Sequence, residues 1–172
     1  MIWFWSFMVY SFAGFLLEVA FARLTGGRAD RKGLLVLPLC PVYGAGACLI
    51  LALPRWVDAR PWALFLLGGL AATAAEYLAA LWHEKALGVS FWNYDGLPGS
   101  VRGRVCLPFS LAWAPLAALA ARRVQPLVQP LAASVPPLLT WVCLLLFTAD
   151  ACLSARYLWV TGDVAGLRAL RA

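Results

Sequence analysis

The sequence predicts an all-α, polytopic integral membrane protein of about five transmembrane helices, the second broken by prolines, forming a single domain over residues 1–172. Two observations predict it. Hydrophobic residues make up 63% of the 172 and charged residues 13%, with a mean hydropathy of +0.80, whereas a soluble domain carries about 25% charged residues. A chain this apolar cannot cover itself with polar surface in water. The apolar residues also fall into runs close to the ~20 residues of helix that cross a hydrocarbon core, separated by short segments rich in Pro, Gly or Arg.

Residues 2–22 form the first expected span, entered through Trp3 and Trp5 as an interfacial aromatic belt. Its bases follow the apolar run (Arg23, Arg28, Arg31, Lys32) rather than preceding it. That is the reverse of a cleaved signal peptide, so an uncleaved first helix is expected. Residues 23–33 read as a basic loop. Residues 34–53 form the second span, interrupted by Pro38 and Pro41 and followed by Gly44 and Gly46. Proline lacks an amide donor and clashes with the preceding turn, so the helix should break or kink between Pro38 and Gly44. Broken backbone at membrane depth survives only where protein or a wet cavity satisfies it.

A polar turn flanked by Trp56 and Trp62 leads into the third span, 62–82. Residues 83–103 are the longest polar segment. The fourth span, 105–121, holds Pro108 and Pro115. Arg122-Arg123 and four prolines make 122–137 a loop or an interfacial segment, and 138–159 is the fifth span before a short basic tail.

Five spans place Arg23, Arg28, Arg31, Lys32, Lys85, Arg102, Arg104, Arg156, Arg168 and Arg171 on one side of the membrane. Arg55, Arg60, Arg122 and Arg123 fall on the other. Basic residues concentrate on the cytoplasmic side, so a multi-pass protein of the cytoplasmic membrane is expected, its N-terminus outside and its C-terminus in the cytoplasm. The net charge of +6 is scattered between apolar runs, as for bases that orient spans and meet anionic headgroups. No basic block interleaved with aromatics points to nucleic acid. The five cysteines read as small buried hydrophobes. A single His83 without a His/Cys cluster argues against a metal site, and no cofactor is expected.

Three acids interrupt the apolar runs: Glu18, Glu76 and Asp150. An ionisable group at membrane depth costs roughly 2.5 to 3.5 kcal/mol and persists where a function or a partner offsets that cost. Glu18 lies about 7 Å of helix rise before Arg23, Glu76 about 12 Å before Glu84, and Asp150 about 9 Å before Arg156. All three are therefore expected in the cytoplasmic half, level with the helix break. The candidate pocket for a ligand, ion or proton comprises Glu18, Glu76, Asp150, Tyr43 and Arg104. Structural pairing of the acids with arginines is the competing reading. The segment Trp92-Asn93-Tyr94-Asp95 through Arg102 and Arg104 is expected to cap that pocket from the cytoplasm, although an interfacial loop would have a similar composition. Glu84-Lys85 reads as a solvated interfacial pair. A weak internal repeat is also visible, in which Glu18 with 31–38 parallels Glu76 with 102–108.

These residues resemble the CmpB-like, type IV ABC-transporter membrane proteins over most of residues 7–115 and the acid of the last span. The likeness rests on Tyr10-Ser11, Gly14 and Glu18; Arg31 to Gly44 with its Cys-Pro-Val-Tyr-Gly; Glu76-Tyr77 and Glu84-Lys85; Phe91 to Asp95; and Ser100 to Leu107, followed by Ser110 and Trp113. Arg31, Leu37, Asn93 and Ser100 stand where the family pattern has Asn, Gly, Asp and Asn. The resemblance implies a permease subunit. The chain lacks a Gly-x-x-x-x-Gly-Lys-[Ser/Thr] phosphate loop, so a separate ATPase subunit would supply the energy, and five helices point to a homo-oligomer around any path. Membrane lipid is the remaining expected partner. A non-catalytic scaffold or regulatory subunit is an alternative reading, as is a lipid-processing membrane enzyme. With no metal cluster and no nucleophile–base pair, no catalytic residue is assigned.

Overall fold

Helix accounts for nearly all the regular structure in the computed structural model, which describes residues 1–26 and 33–169, Arg168 as backbone only. Arg28, Arg31, Lys32 and Arg171, which enter the sequence reading, lie outside the described residues. Helix α1 spans Ile2–Leu24, α2 Pro41–Leu51, α3 Arg55–Ala59 and α4 Pro61–Trp82. Then come α5 Leu107–Leu119, α6 Gln125–Ser134, α7 Pro137–Thr161 and α8 Val164–Ala169. An isolated bridge between Val101 and Val105 is the β pairing among these residues.

Three helices are long and apolar enough to cross a membrane: Ile2–Leu24, Pro61–Leu87 and Pro137–Thr161. The expected second and fourth spans are shorter helices. In the second, residues 33–40 are not helical and Pro41 opens α2 as its first residue. Proline is well placed there, because the first amide of a helix has no partner to lose. The break is thus an unwound entry carrying Pro38, with Gly44 inside the helix behind it, rather than a kink within a continuous span. The fourth span is interrupted differently. After α5 the chain makes a π-helical turn at Ala120–Val124 and continues directly as α6, so of the two readings of residues 122–137, a loop or an interfacial segment, the loop does not hold for the helical part. The wide turn loosens the backbone carbonyls, and the Tyr10 hydroxyl donates to Ala120 O at 3.0 Å. The third span runs past its expected end through a second π turn, His83–Leu87, and stops at Gly88 (φ +67) in the left-handed conformation that glycine adopts without strain.

α2 packs between α1 and α4, and α5 against α4. Small residues bring the axes close, as suits a medium in which lipid tails offer no hydrophobic drive. A Cβ on Gly14 would run into the Tyr43 ring, and one on Gly44 into Ser11 and Phe7. A Cβ on Gly69 would meet Ala114 at 2.9 Å. The α1–α2 and α4–α5 hairpins share one feature. Each returns through an extended cysteine, Cys40 or Cys106, followed by a proline in the first helical turn. This aligns Cys40 with Cys106, a different register from the repeat expected from Pro38 and Pro108.

α7 joins through spaced contacts on one face. Trp5 Nε1 donates to Thr140 Oγ1 at 2.9 Å, and Phe7 meets Phe147 with ring centroids 5.4 Å apart. Its other face exposes Leu138, Trp141, Leu145, Leu153 and Trp159. These contacts run in the same sense along both helices, so α7 lies parallel to α1. The end bearing residues 33–40 and 88–106 gathers Arg23, Lys85, Arg102, Arg104 and Arg156, and the opposite end Arg55, Arg60, Arg122 and Arg123.

Candidate functional site

The segment from Gly88 to Cys106 is tied by its own backbone. Tyr94 N–H donates to Gly103 O (2.8 Å), Leu97 N–H to Tyr94 O (3.1 Å) and Leu107 N–H to Pro98 O (3.0 Å). Arg102 (φ +54) and Gly103 (φ +69) form a left-handed two-residue turn closed by Arg104 N–H donating to Val101 O at 3.1 Å, the twist that suits a tight hairpin. Asn93 Oδ1 accepts from Asp95 N–H at 2.8 Å, bending the chain just before Tyr94.

That bend carries Tyr94 into the helices. Its hydroxyl donates to Glu76 Oε1 at 2.9 Å, and its ring stacks on Phe109, centroids 4.9 Å apart. The other carboxylate oxygen of Glu76 accepts from Trp113 Nε1 at 2.8 Å. Glu76 is 5% exposed, and both donors are neutral. They stabilise its charge without cancelling it. The Tyr43 ring packs edge-on to Trp113, centroids 5.3 Å apart, and rests on Gly14 of α1. One turn further along the same face, Glu18 Oε1 accepts from Cys40 Sγ at 3.4 Å. Burial pushes the Tyr94 phenol well above its usual range, helped by the Glu76 charge, so it acts as a proton donor in its hydrogen bond.

Asp150 does something else. Its two oxygens accept from Val36 N–H (3.1 Å) and Leu37 N–H (2.8 Å), and Ser154 Oγ donates to Oδ1 at 2.9 Å. It satisfies amides that the unwound entry to α2 leaves without helical partners. The unwound backbone therefore lies between two of the acids, with Asp150 at Val36 and Leu37 and Glu18 at Cys40.

Arg104 also has an assignment that its position in the sequence did not reveal. Nε and Nη2 donate to Glu84 Oε2 at 2.9 and 2.6 Å, and Nη1 to the Tyr77 hydroxyl at 2.9 Å. The bond to Glu84 raises the guanidinium further above its usual range. Glu84 is thus held by Arg104 rather than by its neighbour Lys85, and Arg104 fastens the loop to the end of α4. Trp92 Nε1 donates to Arg104 O at 2.9 Å, and its ring stands 5.9 Å from that of His83. Arg102 is exposed. Of the expected pocket residues, Glu76 meets Tyr94 directly, Tyr43 packs on the Trp113 that also bonds Glu76, and Glu18 bonds Cys40 beside the start of α2. Asp150 and Arg104 are directed elsewhere.

Trp113, Phe109 and Cys40 were absent from the expected pocket. Trp113 carried a readable signal, because an indole N–H in an apolar helix needs an acceptor and acids are scarce here. Among the described residues no three His, Cys, Asp or Glu side chains converge as metal ligands.

Residues 5–155 match the family described as "Putative ABC-transporter type IV". The chain belongs to this family. No curated protein and no solved structure matches it. Family membership together with the apolar helices makes this type IV ABC-transporter family protein a membrane protein. Two of its departures from the family pattern fall on turns. Ser100 Oγ accepts from Gly103 N–H at 3.3 Å, and Asn93 accepts from Asp95 N–H. A third, Leu37, presents its amide to Asp150, whereas Arg31 lies outside the described residues.

Proposed function

We propose that this chain is the permease subunit of a transporter, with an acidic site at Glu76 and Glu18 that takes up a proton or cation from the cytoplasmic side. The observation that carries the reading is the setting of Glu76: inside a membrane-crossing helix, buried, and held by two neutral donors. A carboxylate at membrane depth is costly and persists where a function or a partner offsets the cost, and Glu18, which accepts from Cys40 Sγ, is read as the second acid of the site. Family membership supports transport, and the lack of a phosphate loop supports a separate ATPase subunit. The positive-inside bias supports an outside N-terminus and a cytoplasmic C-terminus. The chain itself would carry out no covalent chemistry.

A scaffold or regulatory role is favoured by one specific observation, namely that Asp150 and Arg104 serve contacts within the chain. Proteoliposomes loaded with a pH-sensitive dye separate the two readings. Under an imposed membrane potential, the wild type should pass protons and Glu76→Gln should pass them at least about tenfold more slowly, in keeping with loss of the ionisable group. Flux that survives Glu18→Gln with Glu76→Gln would exclude the acids as the transport site. Absence of flux in the wild type, with and without a co-purified ATPase, would favour the scaffold.

A further inference from the structure

The Glu76 carboxylate is shut away from water, and a side chain of the 88–106 loop stands over it. Glu76 is 5% exposed. Its Oε2 meets Trp113 of α5, within the helices, whereas its Oε1 meets the Tyr94 hydroxyl, which comes from the loop. Asn93 and Asp95, on either side of Tyr94, are exposed. The tyrosine side chain therefore reaches from the exposed loop down to the acid. A ligand arriving from this end meets Tyr94 before it meets Glu76.

The loop is divided into anchored ends and a middle held by separable contacts. Val89 and Phe91 before it, and Val105 and Cys106 after it, are buried and anchor the two ends. Between them, residues 93–102 are exposed or half-buried. Tyr94 N–H to Gly103 O, Leu97 N–H to Tyr94 O and Ser100 N–H to Leu97 O tie this stretch to itself. Beyond the stack of Tyr94 on Phe109, polar contacts fasten it to the helices: Tyr94 to Glu76, Arg104 to Glu84 and Tyr77, and Leu107 N–H to Pro98 O. Near the surface such bonds exchange for water at small net cost, so a segment held this way opens locally while the fold stays intact.

We propose that residues 93–104 are the gate of the acidic site, with the Tyr94 side chain as its plug and the Arg104–Glu84 pair as its latch. Closed, the gate keeps water from Glu76. Open, Tyr94 withdraws, and a proton or hydrated cation reaches Oε1 from the loop end. Arg104 is a positioning residue. Its guanidinium holds Glu84 and Tyr77 while its carbonyl accepts from Trp92 Nε1, so one residue secures both arms of the loop. The purpose of the gate rests on the reading of Glu76 as a transport site, but its opening is a matter of access and is measurable without flux.

Labelling the full chain in micelles with a water-soluble carbodiimide and an amine, read at each carboxylate by peptide mass spectrometry, tests it. Wild-type Glu76 should react at least about tenfold more slowly than the exposed Asp58, as for a group reached by local opening. Tyr94→Ala removes the plug and should close most of that gap. Arg104→Gln keeps the plug and releases the latch. It should speed Glu76 by about tenfold, the factor given by losing one charge-assisted hydrogen bond. Leu97→Ala, on the exposed tip, should change nothing. A Glu76 rate in Tyr94→Ala equal to that of the wild type would overturn the gate, as would a wild-type Glu76 as reactive as Asp58. Asp150, held by the amides of Val36 and Leu37, reports loosening of the whole fold. Should it speed up with Glu76 in Tyr94→Ala, Arg104→Gln decides, and a Glu76 rate unchanged relative to Asp150 there overturns the proposal. Labelling as expected without proton flux would remove the permease reading alone, and Glu76-dependent flux with labelling unchanged would remove the gate alone.

Discussion

At the scale of single residues, the membrane acids divide by the donors that meet them. Asp150 accepts backbone amides and a serine hydroxyl, a set that demands two acceptor oxygens. Asp150→Asn would turn an NH2 toward one of those amides. Folding stability is expected to fall by about 1–3 kcal/mol, the usual cost of a buried donor left unpaired, and Asp150→Leu should cost more. Thermal unfolding in micelles measures both. Glu76 instead accepts from two side chains that can be altered without disturbing the backbone. Trp113→Phe keeps the ring against Tyr43 and removes the indole donor, and Tyr94→Phe removes the phenolic one. Each is expected to cost about 0.6–2 kcal/mol, the range for hydrogen bonds between membrane helices. A double-mutant cycle should show coupling, because the second deletion leaves the carboxylate with neither donor. Strict additivity would mean that Glu76 is satisfied from elsewhere and that the two donors do not act as a unit.

At the scale of elements, the structure turns on two close helix crossings and one unwound entry. Gly14→Val would force a branched side chain into the Tyr43 ring, separating α1 from α2 and moving Tyr43 off Trp113. A loss of about 1–3 kcal/mol is expected from overpacking. Leu16 on the same helix is 50% exposed, so Leu16→Val meets no such obstacle and should leave stability within about 0.5 kcal/mol. Melting temperatures of Gly14→Val and Leu16→Val, measured side by side, check this. Much of the element pattern was legible in the sequence. The long apolar runs and the Pro38–Pro41 disruption each announced themselves through composition. The partners of the break were not legible. Nothing in the local sequence says that the amides of Val36 and Leu37 find an acid more than a hundred positions away. Continuation of α5 through Arg122-Arg123 into α6 was hidden for a different reason. Prolines and paired arginines usually mark a loop, but Pro126 stands in the first turn of α6, where proline is tolerated, and the π turn absorbs the mismatch.

At the scale of the whole molecule, the parallel course of α1 and α7 and the antiparallel hairpins between them set two chemically different ends. One carries the loop locked by Arg104 and Glu84, with Tyr94 reaching inward, and the other the arginines of α3 and the π turn. Sequence could assign bases to ends because charge asymmetry needs only the order of spans. It could not join Tyr94 to Glu76, since that contact depends on the left-handed turn at Arg102-Gly103. The proposed site requires the Tyr94 end to face the cytoplasm, and orientation is directly measurable. In a background lacking the five native cysteines, Leu97→Cys places a thiol on the exposed tip of the loop and Arg55→Cys places one at the opposite end. A membrane-impermeant maleimide added to intact cells should label position 55 and leave position 97 untouched until the membrane is permeabilised. The reverse pattern would place Glu76 and Glu18 toward the outer face. Uptake from the cytoplasm would then be excluded, with every hydrogen bond described above left intact.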